Sequence, residues 1–309
     1  MKITRRVKDI LSNYESDNPG TKNNLARILG HGRLGGTGKM IIYPVDQGVE
    51  HGPTRSFGKN AGGYDPHYHW QLAIDAGLNA FASTLGMLEA GADTFAGQIP
   101  TILKMNHSNS LSRMKEDADQ AVVGTVDDAL RLGCSAIGFT IYPGSDNCFN
   151  QMEELRELSY EAKRAGLAVV AWSYARGGNL SKDGETALDV ISYAAHLVTS
   201  MGAHVIKVKL PTDKLELDAA KKVYEETKVP RATLTERVQD VVNACYAGRR
   251  LVVFSGGEAK DTAGLMNEAK AIRDGGGNGS IIGRNVFQRP REEAMALLDQ
   301  MVEIYKAKT

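Results

Sequence analysis

Two lysines interrupt an apolar run at Val205-Ile206-Lys207-Val208-Lys209-Leu210. Alternate side chains of a β-strand share a face, so Ile206, Val208 and Leu210 point one way while Lys207 and Lys209 point the other way together. A half-buried strand would turn such a pair to water. A strand in a closed parallel barrel has no watery face, because helices cover its outside and packed side chains fill its inside. An ammonium group placed there, beside a second cation, gives up its proton more readily than a free lysine with its pKa near ~10.4. The resulting amine is a nucleophile toward carbonyl carbon. Because the two lysines share a face, the residues alone leave open which of them would attack.

The elements that must position this pair are those of a barrel. Short apolar runs read as strands at 40–46, 80–83, 101–106, 136–142, 168–174, 204–210, 250–255 and 279–283. Helical patterns fall near 66–76, 86–96, 125–132, 147–165, 185–201, 259–274 and 290–307, and the longer join between strands six and seven has room for two helices around Pro230. Gly77, Gly133, Gly166, Gly202 and Gly248 stand where left-handed helix C-caps belong. Strands alternating with helices define an α/β protein with a parallel sheet, and eight units define the (β/α)8 TIM barrel. A doubly wound sheet would carry a glycine-rich dinucleotide turn after an early strand, and none is present. Residues 40–309 are expected to form the barrel and residues 1–39 an N-terminal extension with a short helix at Leu25–Leu29. The stretch HGRLGGTGK at 31–39 is not a phosphate loop. Arg33 stands where the required spacing needs its first glycine, and a strand follows rather than a helix, so the stretch reads as a flexible lead-in.

Composition narrows the setting. Lys plus Arg equals Asp plus Glu at 37 each in 309 residues, which gives no basic footprint for nucleic acid. No apolar run approaches the ~20 residues that cross a bilayer, and the charged first twenty residues lack a secretory apolar segment. Cys134, Cys148 and Cys245 are odd in number and far apart, so they form neither a disulfide framework nor a zinc spacing. The expectation is a reduced cytoplasmic protein with no nucleic-acid or membrane partner.

In barrels the chemistry sits at the C-terminal ends of the strands. Strand one ends in Asp46-Gln47-Gly48-Val49-Glu50-His51-Gly52, where Asp46 could orient a hydroxyl or take its proton, or else serve as a helix cap. His51 lies in the loop that follows. Lys104 on strand three is a third inward lysine, for a second phosphate or for a salt bridge inside the barrel. Strand five sets Trp172 and Tyr174 on one face. They are either packing residues or, for the phenol, a proton shuttle beside a Schiff-base lysine. Ser255-Gly256-Gly257 after strand seven offers bare amides to an anion, and Gly283-Arg284-Asn285 after strand eight adds a guanidinium. Tight turns alone would explain one such motif; two on consecutive strands favour phosphate. His67 and His69 with Asp65 lack a third ligand at fixed spacing, so no metal is assigned.

Taken in order, PVDQGVEHG (44–52), TIYPGS (140–145), WSYARGG (172–178), VIKVK (205–209), SGG (255–257) and GRNVFQR (283–289) resemble the archaeal-type class I fructose-bisphosphate aldolases and their bacterial relatives. The similarity runs from the GRLGGTG stretch to the C-terminus, and the longer join between strands six and seven departs from the compact archaeal pattern. The resemblance implies that Lys207 forms the Schiff base with the ketose carbonyl and that Tyr174 is the main proton-transfer group. It also implies that Asp46 holds or deprotonates the hydroxyl at the cleaved bond, with Trp172 and His51 in the same pocket. Ser255, Gly256, Gly257, Gly283 and Arg284 would bind the phosphate on the dihydroxyacetone side. The implied reaction is reversible cleavage of fructose 1,6-bisphosphate to dihydroxyacetone phosphate and glyceraldehyde 3-phosphate, by a homo-oligomer, without cofactor or metal. Three other functions fit the residues less well. They are a related Schiff-base synthase on another ketose phosphate, a metal-dependent barrel aldolase or isomerase using His51 and His107, and a non-catalytic phosphate binder with Lys207 and Lys209 as structural charges.

Overall fold

The structure is a computed structural model describing residues 3–112, 118–255 and 261–307. Eight parallel strands close into a barrel: β1 (Met40–Val45), β2 (Ala80–Ser83), β3 (Thr101–Lys104), β4 (Ala136–Ile141), β5 (Ala168–Ser173), β6 (Val205–Lys209), β7 (Leu251–Ser255) and β8 (Gly279–Ile281). They run in sequence order round the barrel, with β8 pairing β1. The expected (β/α)8 TIM barrel is therefore what forms. β1, β4 and β5 are buried along their whole length, as strands covered on both faces must be.

Helices follow the strands at Pro66–Asp75, Leu85–Glu89, Val126–Arg131, Cys148–Arg164, Leu188–Ser200, Thr262–Asp274 and Arg291–Lys306. Two more, Asp218–Thr227 and Leu234–Ala244, occupy the long join around Pro230. Local chemistry starts several of them. Asp65 caps the first with Pro66 at its opening position, and Thr125 and Asp128 form a reciprocal capping box. The helix expected over 86–96 ends at Glu89. Its C-cap is Ala90, and the next residue, Gly91, lies against the Trp70 indole, where an added Cβ would come within 2.4 Å of Nε1. The five glycines expected as caps all have positive φ.

The N-terminal segment is more structured than expected. Arg5–Leu11 and Pro19–Gly30 are helices, the second starting from an Asn18 cap well before Leu25. Val7, Ile10, Tyr14, Leu25, Ile28 and Leu29 join Met40, Ile42, Ala80, Val205 and Val253 in one apolar cluster, closing the N-terminal end of the barrel. The Tyr14 hydroxyl donates to His204 O at 2.6 Å and accepts from Leu251 N–H at 3.2 Å. The glycine-rich stretch that read as flexible is fastened at Arg33 N–H to Gly77 O and Gly36 N–H to Leu29 O, both 2.8 Å. Among the described residues no helix is long and apolar enough to cross a membrane.

Candidate active site

Strand alternation decides which side chains enter the barrel. On β6, Ile206 and Val208 join the outer core with the helices, whereas Val205 belongs to the inner cluster, which leaves Lys207 and Lys209 facing inward. On β5 the inward set is Val170 and Trp172, with Tyr174 just beyond the strand end. Trp172 and Lys207 are register partners on adjacent strands. Room for the indole comes from β4, where a Cβ on Gly138 would stand 2.4 Å from the Trp172 ring.

The two lysines differ in depth. Lys207 is 5% exposed, and its ammonium lies 5.3 Å from the Trp172 ring centroid and 5.4 Å from that of Tyr174. Among the described residues no carboxylate comes within salt-bridge distance of it. Burial lowers its pKa to about 8, against the opposing pull of Asp46 and Glu50, with Arg284 adding to the fall. Lys209, nearer the mouth, is 3.5 Å from the Glu185 carboxylate. The inner lysine is thus a desolvated amine beside two aromatic rings, and the outer one is an ion-pair partner.

Asp46 occupies a helix N-cap position yet makes no capping hydrogen bond, which leaves its carboxylate to the cavity rather than to the helix. Tyr174 is half-buried, and burial together with Asp46 holds its phenol well above the ordinary range, opposed by a hydrogen bond with Ser255. It is an uncharged proton donor at neutral pH. Burial, with Arg284 and Arg55, lowers the pKa of His51 against the pull of Asp46. At the end of β8, Gly283 approaches β1 so closely that a Cβ would fall 2.5 Å from Pro44 O, and Arg284 opens the short helix that follows.

Asp46, His51, Trp172, Tyr174, Lys207, Ser255, Gly283 and Arg284 line a single cavity at the C-terminal mouth. Gly256 and Gly257 lie outside the described residues. Lys104 does not line the cavity. It is 1% exposed and donates to Asn106 O and to Gln120 Oε1, with Glu50 at 3.9 Å. Glu50, Gln120, Tyr142 and Arg176 also line the cavity, although none was singled out in the sequence. Glu50 had a signal, lying one helical turn after a strand-end Asp. Gln120 had none, because it arrives next to a two-residue antiparallel ribbon, Asn106–His107 with Ala121–Val122.

The two histidines weighed with Asp65 as metal ligands serve the fold. His69 bridges the Tyr43 hydroxyl and Gly63 O, His67 meets Ala90 O, and Asp65 caps the helix. Among the described residues no three His, Cys, Asp or Glu side chains converge as a metal site.

A closed (β/α)8 barrel with its polar groups gathered in one cavity at the strand C-termini is the architecture of a barrel enzyme. The chain belongs to the DeoC/LacD family of aldolases, whose model matches residues 40–289. It is 36% identical over 306 residues to a probable fructose-bisphosphate aldolase class 1 of Chlamydia trachomatis serovar D, covering 94% of this chain and 86% of that one. It is 33% identical over 253 residues to the fructose-bisphosphate aldolase class 1 of Thermoproteus tenax, covering 82% and 84%. A solved archaeal fructose-1,6-bisphosphate aldolase, with its catalytic lysine covalently bound to the carbinolamine intermediate of the substrate, superposes with a TM-score of 0.73. The two are 30% identical, over 87% of this chain and 94% of that one.

Proposed function

We propose that the protein catalyses the reversible aldol cleavage of fructose 1,6-bisphosphate through a Schiff base on Lys207. The observation that carries this reading is the buried ammonium of Lys207, held near pKa 8 among polar cavity residues with no carboxylate at salt-bridge distance among the described residues. About a tenth of such a group is free amine at pH 7, against roughly 0.04% for an ordinary lysine. Two relatives support the same reaction, the Chlamydia one named a probable fructose-bisphosphate aldolase class 1 and the Thermoproteus one a fructose-bisphosphate aldolase class 1.

The amine attacks C2 of the ketose, and the proton it loses ends on the former carbonyl oxygen, giving a carbinolamine. A proton from solvent on that oxygen and loss of water leave the positively charged iminium. Asp46 takes the proton of the C4 hydroxyl, the C3–C4 bond breaks, and its electron pair passes into the iminium to leave an enamine and free glyceraldehyde 3-phosphate. Tyr174, uncharged and beside the lysine, protonates C3, and water then releases dihydroxyacetone phosphate. The iminium is the electrophile of this scheme, so it assigns no metal or cofactor. Ser255, Gly283 and Arg284, with Gly256 and Gly257 as the sequence suggests, would hold the C1 phosphate. Trp172 and His51 wall the sugar. Arg176 and Lys209 extend the cationic lining toward the far phosphate. The reading includes a cytoplasmic homo-oligomer interconverting hexose and triose phosphates in glycolysis and gluconeogenesis, on the strength of the family resemblance.

The test is incubation with fructose 1,6-bisphosphate and enzymatic detection of both triose phosphates, with and without chelator. Equimolar appearance of both, unaffected by chelator, is expected. Turnover of a different ketose phosphate with none of this one would replace the substrate, and loss of activity in chelator would replace the mechanism.

A further inference from the structure

Asp46 is followed by a single-turn helix, Gln47–His51, that sets Glu50 four residues on and over the same cavity. One Glu50 oxygen accepts from Gln120 Nε2 at 3.0 Å. Gln120 in turn accepts from Lys104 Nζ at 2.9 Å and donates to the Tyr142 hydroxyl at 2.8 Å. The second Glu50 oxygen has no hydrogen-bond partner among the described residues. A carboxyl anchored through one oxygen, with the other open to a cavity that holds a reactive amine, acts on that amine by its charge.

We infer that Glu50 is a positioning residue for the cleavage reaction, acting through Lys207: its protonation state sets the charge beside the amine and hence the share of Lys207 that is nucleophilic. This rests on the reading of Lys207 as the Schiff-base lysine. Burial and the neighbouring Asp46 raise Glu50 to about 7, against Lys104, the Gln120 hydrogen bond and Lys207. Below that pH Glu50 is neutral. Above it, Glu50 gains a negative charge that favours the Lys207 ammonium and pulls against the burial that lowers it.

The surrounding groups leave this coupling legible. Arg176 and Arg284 are fixed guanidinium charges. His51 and His107 are pushed toward the neutral form by burial, and Tyr142 lies near 12. The Tyr174 phenol is held above its ordinary range. Lys104, itself lowered by burial, and the Asp46 carboxyl are further groups whose charges act on Glu50, and Asp46 acts on Lys207 as well. A plain counter-ion role for Glu50 beside Lys104 is the competing account, and it predicts no effect on Lys207.

Glu50→Gln keeps an acceptor for Gln120 and removes the charge. The experiment is trace acetylation of the substrate-free protein across about pH 6 to 10, with the Lys207, Lys104 and Lys209 peptides quantified by mass. In Glu50→Gln the Lys207 labelling curve moves to lower pH by about one unit, and the rising limb of kcat/KM moves with it. The wild-type Lys207 curve is broader than a one-proton titration, because Glu50 charges as Lys207 discharges. An unmoved Lys207 curve in a folded Glu50→Gln variant, or a one-proton wild-type curve, overturns the inference; the second needs no variant to fold. Labelling uses no sugar phosphate, so a protein inert toward fructose 1,6-bisphosphate would sink the proposed function and leave this result readable.

Discussion

Replacing Lys207 by methionine is expected to abolish turnover and to stabilise the fold. The lysine is 5% exposed and its pKa is about 8, whereas in the unfolded chain it returns to about 10.4. Below pH 8 both states carry the proton and the folded state bears the whole penalty. Between pH 8 and 10.4 the unfolded chain binds more protons, so wild-type stability rises with pH, and above that range the penalty is gone. At about 1.4 kcal/mol per pH unit between the two values, the penalty is about 3 kcal/mol at pH 7. Methionine fills a similar volume without charge. The pull of Asp46 and Glu50 on the ammonium is already contained in that pKa, so the expected gain is the full value of about 3 kcal/mol. For a chain of 309 residues that is about 5 °C in Tm. Calorimetric melts of both proteins near pH 7 and near pH 10 would read it, with triose phosphate release measured in parallel. A variant that melts at or below wild type at pH 7, or a gap that does not shrink with pH, would refute the claim that Lys207 is held in the barrel at the expense of stability.

Other substitutions separate the roles. Tyr174→Phe should lower kcat by about 10²- to 10⁴-fold while Lys207 still forms a reducible adduct; loss of the adduct as well would show that the phenol acts before cleavage. Gly138→Ala drives a methyl to 2.4 Å from the Trp172 ring, so the indole must move by about 1 Å. Overpacking of about 1–3 kcal/mol and a kcat loss on the order of 100-fold are expected in melts and steady-state assays, and wild-type behaviour in both would mean Trp172 is not held by that contact. Tyr14→Phe leaves the Leu251 amide and the His204 carbonyl without their shared hydroxyl. A loss of about 1–3 kcal/mol in denaturant titration, with kcat unchanged, would locate the N-terminal helices as a support of the barrel floor.

The barrel was readable because its strands are short, apolar and separated by helices that close on glycine, and because a two-residue alternation fixes which face Lys207 and Trp172 share. That same alternation could not rank Lys207 against Lys209. Rank came from depth, one lysine lying against Trp172 and the other reaching Glu185, and depth depends on register with β5 and β7. Lys104 was rightly placed inside, but its partner Gln120 lies sixteen residues on and joins only when the ribbon folds back. The N-terminal helices were underread because their apolar residues match the barrel floor rather than one another.

The most direct measurement is borohydride reduction of the protein in the presence of fructose 1,6-bisphosphate, followed by peptide mapping of the mass increase. A single reduced adduct on Lys207 is the predicted result. An adduct on Lys209 would keep the Schiff base and overturn the argument from burial, and a protein that binds the sugar phosphate without any adduct would contradict covalent catalysis altogether.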